Sequence, residues 1–178
     1  MLLSGVEIKR QMKLGNIVID PFSEEQLNPN SYNLTLDSQM RVYTASCLDV
    51  KRENETKTIV IPEEGFVLEP FELYLVRSRE YTETHGFVPM VQGRSSLGRL
   101  GLAVHITSGF GDIGFCGNWT LQLLSAKPLR IYAGMKFCQI YYQELRGAEA
   151  QTEYFSEKYQ GGRDIQASKS YLDFQGPG

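Results

Sequence analysis

Histidine and cysteine are scarce in this chain, and that scarcity removes whole classes of chemistry. Its 178 residues hold two histidines, His85 and His105, and three cysteines, Cys47, Cys116 and Cys138. An odd, scattered set of thiols does not make a disulfide framework and points to reduced cysteines in a cytoplasm. No cysteine pair has C-x-x-C spacing, and His85-Gly86-Phe87 does not supply the H-x-E half of a zinc-dependent nucleobase deaminase, so no zinc is expected. The G-x-S-x-G elbow of serine hydrolases is missing too. A net charge of -3 leaves no polybasic signature, which argues against a nucleic-acid polymer as partner. No apolar run is long enough to span a bilayer, and Glu7 and Lys9 interrupt the start too early for a secretory signal. There is no internal repeat and no low-complexity linker.

What is present is one domain's worth of chain, 1–178, dominated by strand signals. Ser4 to Leu14 reads as a short amphipathic helix: Ser4 caps it, Glu7 stands three residues on, Val6, Ile8, Met12 and Leu14 supply apolar contacts, and Gly15 ends it. Short apolar runs follow between turn signals at 17–19, 32–36, 40–43, 58–61, 74–76, 102–106, 119–124, 129–132 and 137–142. Many short strands at near-regular spacing predict an all-β barrel or double-sheet sandwich. From Gln151 onward the chain turns polar, with Gly161-Gly162 and basic Lys158, Arg163 and Lys169. A frayed terminus and an arm that folds over a ligand both fit this stretch; Tyr154, Phe155, Tyr159, Tyr171 and Phe174 favour an arm that docks.

Three clusters carry chemistry. Gly93 to Leu102 packs two arginines, two serines and three glycines into ten positions. Glycines admit close backbone approach, while amides, hydroxyls and guanidinium groups suit a polyanion. One helical turn over Ser95–Arg99 puts Ser95 and Arg99 on one face, with free N–H groups aimed at an anion. On this segment alone, an arginine-bearing surface turn reads equally well. Thr107 to Trp119 holds four glycines and a sole carboxylate, Asp112. Asp112 suits a sugar hydroxyl or a water, although an aspartate in a hairpin turn is the commoner case. In Thr120-Leu121-Gln122-Leu123, strand alternation sends Thr120 and Gln122 to one side and the leucines to the other. A lone glutamine there reads as a satisfied structural polar group, or as one facing a cavity beside Thr120. His105, in a strand-like run, reads as a packed, hydrogen-bonded histidine.

Taken in order, these clusters resemble the dCTP deaminase family, which shares its fold with the trimeric dUTPases. Asn28-Pro29-Asn30-Ser31-Tyr32-Asn33-Leu34 is similar to the family's N-P-x-S-Y-D-L segment, and Ala133-Gly134-Met135-Lys136-Phe137-Cys138-Gln139 to its P-G-M-x-x-x-Q turn and strand. Lys158-Tyr159-Gln160-Gly161 and Ser168-Lys169-Ser170-Tyr171 are similar to its C-terminal arm. The resemblance implies an all-β, distorted double-sheet, jelly-roll-like (dUTPase-like β-clip) fold with a short N-terminal helix and a C-terminal arm over 151–178. It also implies a homotrimer with three sites between subunits and a cytoplasmic enzyme taking dCTP through dUTP to dUMP and diphosphate. Magnesium would be bound through the triphosphate and not by the protein, and dTTP often inhibits such enzymes. Phe110 after Gly109 is similar to the bifunctional branch, where the deaminase-only branch tends to carry arginine.

By the same resemblance, Arg94, Ser95, Ser96 and Arg99, with Leu97 and Gly98 between them, would hold the triphosphate and help set the attacking water. Asp112 would contact the deoxyribose 3′-hydroxyl and assist water attack at the α-phosphate. Thr120 and Leu121 would line the base pocket, and Gln139, Tyr154 and Lys158 would add ligand contacts. Gly162 stands where a phosphate-binding glutamine is common, and Asn33 where the family usually has aspartate. The main departure is Gln122, at the position of the family's catalytic glutamate. An amide has nearly the shape of a carboxylate but takes no proton at useful pH, so deamination is expected to be impaired. The alternatives are a dUTP diphosphatase alone or a non-catalytic dNTP-binding protein.

Overall fold

The computed structural model describes residues 1–107, 109–147 and 158–175. Helix α1 (Gly5–Lys13) opens the chain. The strands are β1 (Ile17–Asp20), β2 (Tyr32–Tyr43), β3 (Thr56–Val60), β4 (Phe66–Leu68), β5 (Tyr74–Thr84), β6 (Phe87–Gly93), β7 (Leu102–Val104), β8 (Cys116–Ser125), β9 (Leu129–Ile131) and β10 (Lys136–Glu144). A one-turn helix, α2 (Ser95–Gly98), separates β6 from β7. Among the described residues no helix is long and apolar enough to cross a membrane.

At α1, Ser4 Oγ accepts the Glu7 N–H at 3.2 Å, so the predicted cap forms. The reciprocal half of a capping box does not. The Glu7 carboxylate turns instead to Arg10 (2.7 and 2.8 Å) and Gln11 (2.6 Å). The Arg10 hydrogen bond, ahead of that from Gln11, pulls the Glu7 carboxyl down to about 2. Only half of the expected apolar face packs: Ile8 is buried and Met12 lies against the core, while Val6 and Leu14 are exposed. Residues two apart on a helix point about 200° away from each other, so Val6 cannot share a face with Ile8, nor Leu14 with Met12.

The main sheet runs β6-β10-β2-β5-β8-β7, with β1 added on β5 and β3 on β2; β4 and β9 form a separate pair. The two runs 32–36 and 40–43 are one strand, β2, because the polar residues between them form an irregularity and not a turn. Asp37 Oδ1 accepts the Gln39 N–H at 3.1 Å. The ladder between β2 and β5 shifts register between Leu36 and Met40. The first half of β2 pairs with β10 and the second half with β3 and β5. A strand that changes partners at a bulge bends the sheet around its own core.

The core is drawn from the inward positions of these strands: Leu34, Leu36, Met40, Val76, Leu121, Leu123, Phe137 and Ile140 are almost fully buried. Each such side chain stabilises the fold by about 1.5–3 kcal/mol relative to exposure. Sequence patterning missed β4 and β6. Pro89 masks β6, but β6 lies at one end of the sheet path, where a strand tolerates a residue without an N–H. The predicted strand 102–106 stops at Val104, because His105 adopts φ 62°.

Candidate functional site

A cavity of about 570 Å³ opens on the outer face of β8, a size that suits a small ligand. Alternation along β8 builds one wall. Asn118, Thr120 and Gln122 line the cavity, while Leu121 and Leu123 point into the core. The Leu121 side chain therefore belongs to the core, not to a base pocket, and only backbone at that position faces outward. Trp119 does both jobs: it is 8% exposed, donates from Nε1 to Thr82 Oγ1 at 2.9 Å and lines the cavity beside Phe115.

The loop 109–115 is pinned to the edge strand β6. Val91 N donates to Gly109 O (2.6 Å) and Gly111 N to Pro89 O (2.8 Å). A Cβ at Gly111 would sit 2.5 Å from the Trp119 ring, so this close approach requires glycine. The loop places Asp112, exposed, on the cavity rim next to Phe110.

The segment 158–175 docks across the opening. Gly161 N donates to Cys116 O, and Asn118 N to Gly162 O, each at 2.8 Å, as a short parallel pairing on β8. Gln160 Nε2 reaches Gly114 O at 2.5 Å. Gln166 N donates to Thr120 Oγ1 (3.0 Å) and Ser168 N to Tyr43 Oη (3.1 Å). Arg41 pairs with Asp164 at 2.7 Å, and the Arg163 guanidinium lies 4.2 Å over Tyr81. Ser170 Oγ donates to Val50 O in the β2–β3 connection (3.0 Å). Lys158 pairs with Asp173, turned along the segment and away from the cavity lining. Gly162 contributes its backbone to the β8 pairing. Tyr154 lies outside the described residues.

His105 completes the wall. Its backbone N–H donates to Gln122 O at 2.9 Å and its Nδ1 lies 3.1 Å from Gln122 Oε1. Partial burial pushes the imidazole pKa down, and the Gln122 contact opposes that only in part. The expected hydrogen-bonded histidine is present, but outside the strand and in the cavity, together with Tyr43 and Gln166, which sequence reading did not single out. Spacing carried no sign that these three meet, because their meeting is set by tertiary packing.

The arginine cluster is elsewhere. None of Arg94, Ser95, Ser96, Leu97, Gly98, Arg99 or Gln139 lines the cavity. The turn after α2 is held by Ala126 N on Gly101 O (3.0 Å). That point lies four residues along β8 from Gln122, about 13 Å at the rise of a strand, and the start of the turn is nearer, since a Cβ on Gly93 would lie 3.3 Å from Val104, whose partner on β8 is Leu123. Ser95, Ser96 and Arg99 are exposed, and their side chains make no hydrogen bond or ion pair among the described residues. Arg94 is half-buried and donates to Lys136 O at 3.2 Å. Gln139 donates to Asn33 Oδ1 at 3.3 Å, and the Asn33 amide donates in turn to Gln26 O and Asn28 Oδ1. An aspartate at 33 lacks those two donors, which accounts for the amide. Among the described residues no three His, Cys, Asp or Glu side chains gather as a metal-binding group.

A family model described as dCTP deaminase-like matches residues 2–145. A protein of Clostridium acetobutylicum named dCTP deaminase, dUMP-forming, is 53% identical over 174 residues, covering 98% of this chain and 99% of that one. Its namesake in Cytophaga hutchinsonii is 52% identical over 176 residues, with coverage of 98% and 99%. The crystal structure of 2′-deoxycytidine 5′-triphosphate deaminase from Agrobacterium tumefaciens shares the fold, with a TM-score of 0.64 at 18% identity. That match covers 79% of this chain and 47% of the other, so this chain spans about half the length of that one.

Proposed function

The chain belongs to the dCTP deaminase-like family, and on that premise we propose that it binds a pyrimidine deoxynucleoside triphosphate and belongs to the dCTP-to-dUMP type, with deamination weakened by Gln122. The observation that carries this reading is the division of its polar groups. Asp112, Thr120 and Gln122 line one cavity, while Ser95, Ser96 and Arg99 are exposed outside that lining, with no side-chain partner among the described residues. Three exposed donors, Ser95, Ser96 and Arg99, without a side-chain partner among the described residues, fit the open side of a neighbouring copy's cavity. We assign the assembly as a homotrimer with the site shared between protomers. The substrate enters with magnesium on its phosphates. Thr120 and Gln122 face the base, Asp112 the sugar and α-phosphate, and Arg94, Ser95, Ser96 and Arg99 of the adjacent copy the phosphate tail. dTTP competes for the same cavity, and the expected location is the cytoplasm.

In the deamination step water adds to C4, one proton passes to the exocyclic amine, and ammonia leaves. That transfer needs a group that accepts and returns a proton, and the Gln122 amide does neither. In the diphosphate step water attacks the α-phosphorus and diphosphate leaves. Asp112, a carboxylate on the cavity rim, is the group suited to orient that water. Incubation with magnesium and either nucleotide should therefore give dUMP from dUTP and little or none from dCTP, read by chromatography. If dUTP stays intact and calorimetry detects no binding of either nucleotide, the reading fails.

Two further outcomes are expected. Arg99→Ala should weaken triphosphate binding by about 1.5–3 kcal/mol, the loss of a charge-assisted contact. An arginine on a merely solvated face would leave affinity unchanged. Mixing inactive Arg99→Ala chains with inactive Asp112→Asn chains should restore part of the dUTP turnover after subunit exchange, because some sites then draw an intact half from each copy. No recovery on exchange would place both clusters in one chain.

A further inference from the structure

His105 is the residue in the cavity for which the chemistry above has no use, yet it is held in an unusual state. A non-glycine residue at φ 62° is uncommon, and such outliers concentrate at functional sites. The conformation lets one residue grip Gln122 twice, by backbone N–H to Gln122 O (2.9 Å) and by Nδ1 to Gln122 Oε1 (3.1 Å). An amide oxygen only accepts, so with Oε1 on the ring the contact is made by the tautomer that carries its hydrogen on Nδ1. Partial burial lowers the imidazole pKa and so favours the neutral ring, with a single N–H to place. The other end of the amide, Nε2, has no hydrogen-bond partner among the described residues, and Gln122 lines the cavity.

We propose that His105 is a positioning residue that fixes the Gln122 amide with its oxygen on the imidazole and its N–H2 toward the cavity, so that the site selects a 4-keto over a 4-amino pyrimidine. This rests on the reading that the cavity takes a pyrimidine nucleotide. A 4-keto ring offers an acceptor to the waiting donor. A 4-amino ring offers its own N–H groups, and two donors facing each other in a half-buried site leave both unsatisfied. Turning the amide over would relieve that clash. It would then set Nε2 against the Nδ1 hydrogen, so the Nδ1–H tautomer is what holds the amide in place.

The test uses the α,β-imido analogues of dUTP and dCTP with magnesium, which bind without turnover at the α-phosphate. Calorimetry on the unaltered protein should show at least a tenfold preference for the uracil analogue. In His105→Asn the side chain can still donate from its nitrogen, and asparagine tolerates positive φ, but its amide can also turn and accept; the preference should shrink without reversing. In His105→Asp the same place holds only acceptors. The amide should then turn, offer its oxygen to the cavity, and bring the preference to parity or reverse it. A second readout needs no substitution: nitrogen NMR of the unaltered protein should find the Nδ1–H tautomer. An Nε2–H tautomer, or a preference unmoved in a folded His105→Asp protein, overturns the proposal. Equal binding of both analogues by the unaltered protein overturns it too while leaving the nucleotide site standing. Failure of both to bind removes the site itself.

Discussion

Gln122→Glu should switch on ammonia release from dCTP, by about 10²–10⁴-fold over the unaltered protein, the usual contribution of a positioned general base and acid. The geometry favours a clean gain. Residue 122 sits on β8, opposite Leu75 in the β5 ladder, so its backbone is fixed on both flanks. The carboxylate replaces an amide of nearly equal shape and keeps the 3.1 Å contact with His105. An anion in place of a neutral amide also favours the imidazolium. The His105 pKa, now lowered by burial, should therefore rise in the Gln122→Glu protein. Two independent measurements check this: ammonia from dCTP in a coupled assay, and the His105 ring titration by NMR. Activity on dUTP should change far less, since its leaving group is diphosphate and its reacting atom lies at the other end of the nucleotide. If dCTP remains untouched and His105 titrates as before, residue 122 does not face the pyrimidine.

Why sequence reading placed Gln122 on the cavity side but left His105 in a strand is a matter of range. The outward side of β8 follows from a period of two, which local sequence states directly; the observed burial alternates without a break from Cys116 to Ser125. The same rule, applied strictly, assigns Leu121 to the core, where it lies. Strand rules also located most of the sheet, because its core positions are apolar runs between turns. They failed where a residue's role is set by what it meets across the fold. Asp37 to Gln39 looks like a break between strands until its bulge is seen. Pro89 hides an edge strand. His105 leaves β7 in a left-handed conformation that no neighbouring residue type requires. The placement of the arginine turn outside the cavity lining was equally illegible, since a linear order of motifs says nothing of which of them one chain's fold brings together.

The C-terminal segment shows how a single hydrogen atom at a glycine decides whether a site is closed. Gly117 has φ 142°, and a Cβ there would lie 2.8 Å from Gly162 O and 3.2 Å from Gly162 N. Those contacts are with backbone, which has no side chain to swing aside. Gly117→Val should therefore lift 158–168 off β8, breaking the two 2.8 Å bonds that join it to Cys116 and Asn118. Gln166 then leaves Thr120 and Ser168 leaves Tyr43, and the cavity opens to water. Turnover of dUTP should drop about a hundredfold, the scale associated with a misplaced or uncovered reacting group. Trypsin should cut at Arg163, whose backbone carbonyl is held by Arg77 in the unaltered protein. Gly161→Asn is the matched control: φ is 72°, which asparagine tolerates, and a Cβ there meets nothing within 4 Å. That variant should keep its turnover within about twofold and resist the protease, because it adds a side chain without displacing the pairing. Equal loss in both variants would mean that general stability, not closure, governs the rate; no loss in Gly117→Val would mean that the docked segment is not needed for turnover.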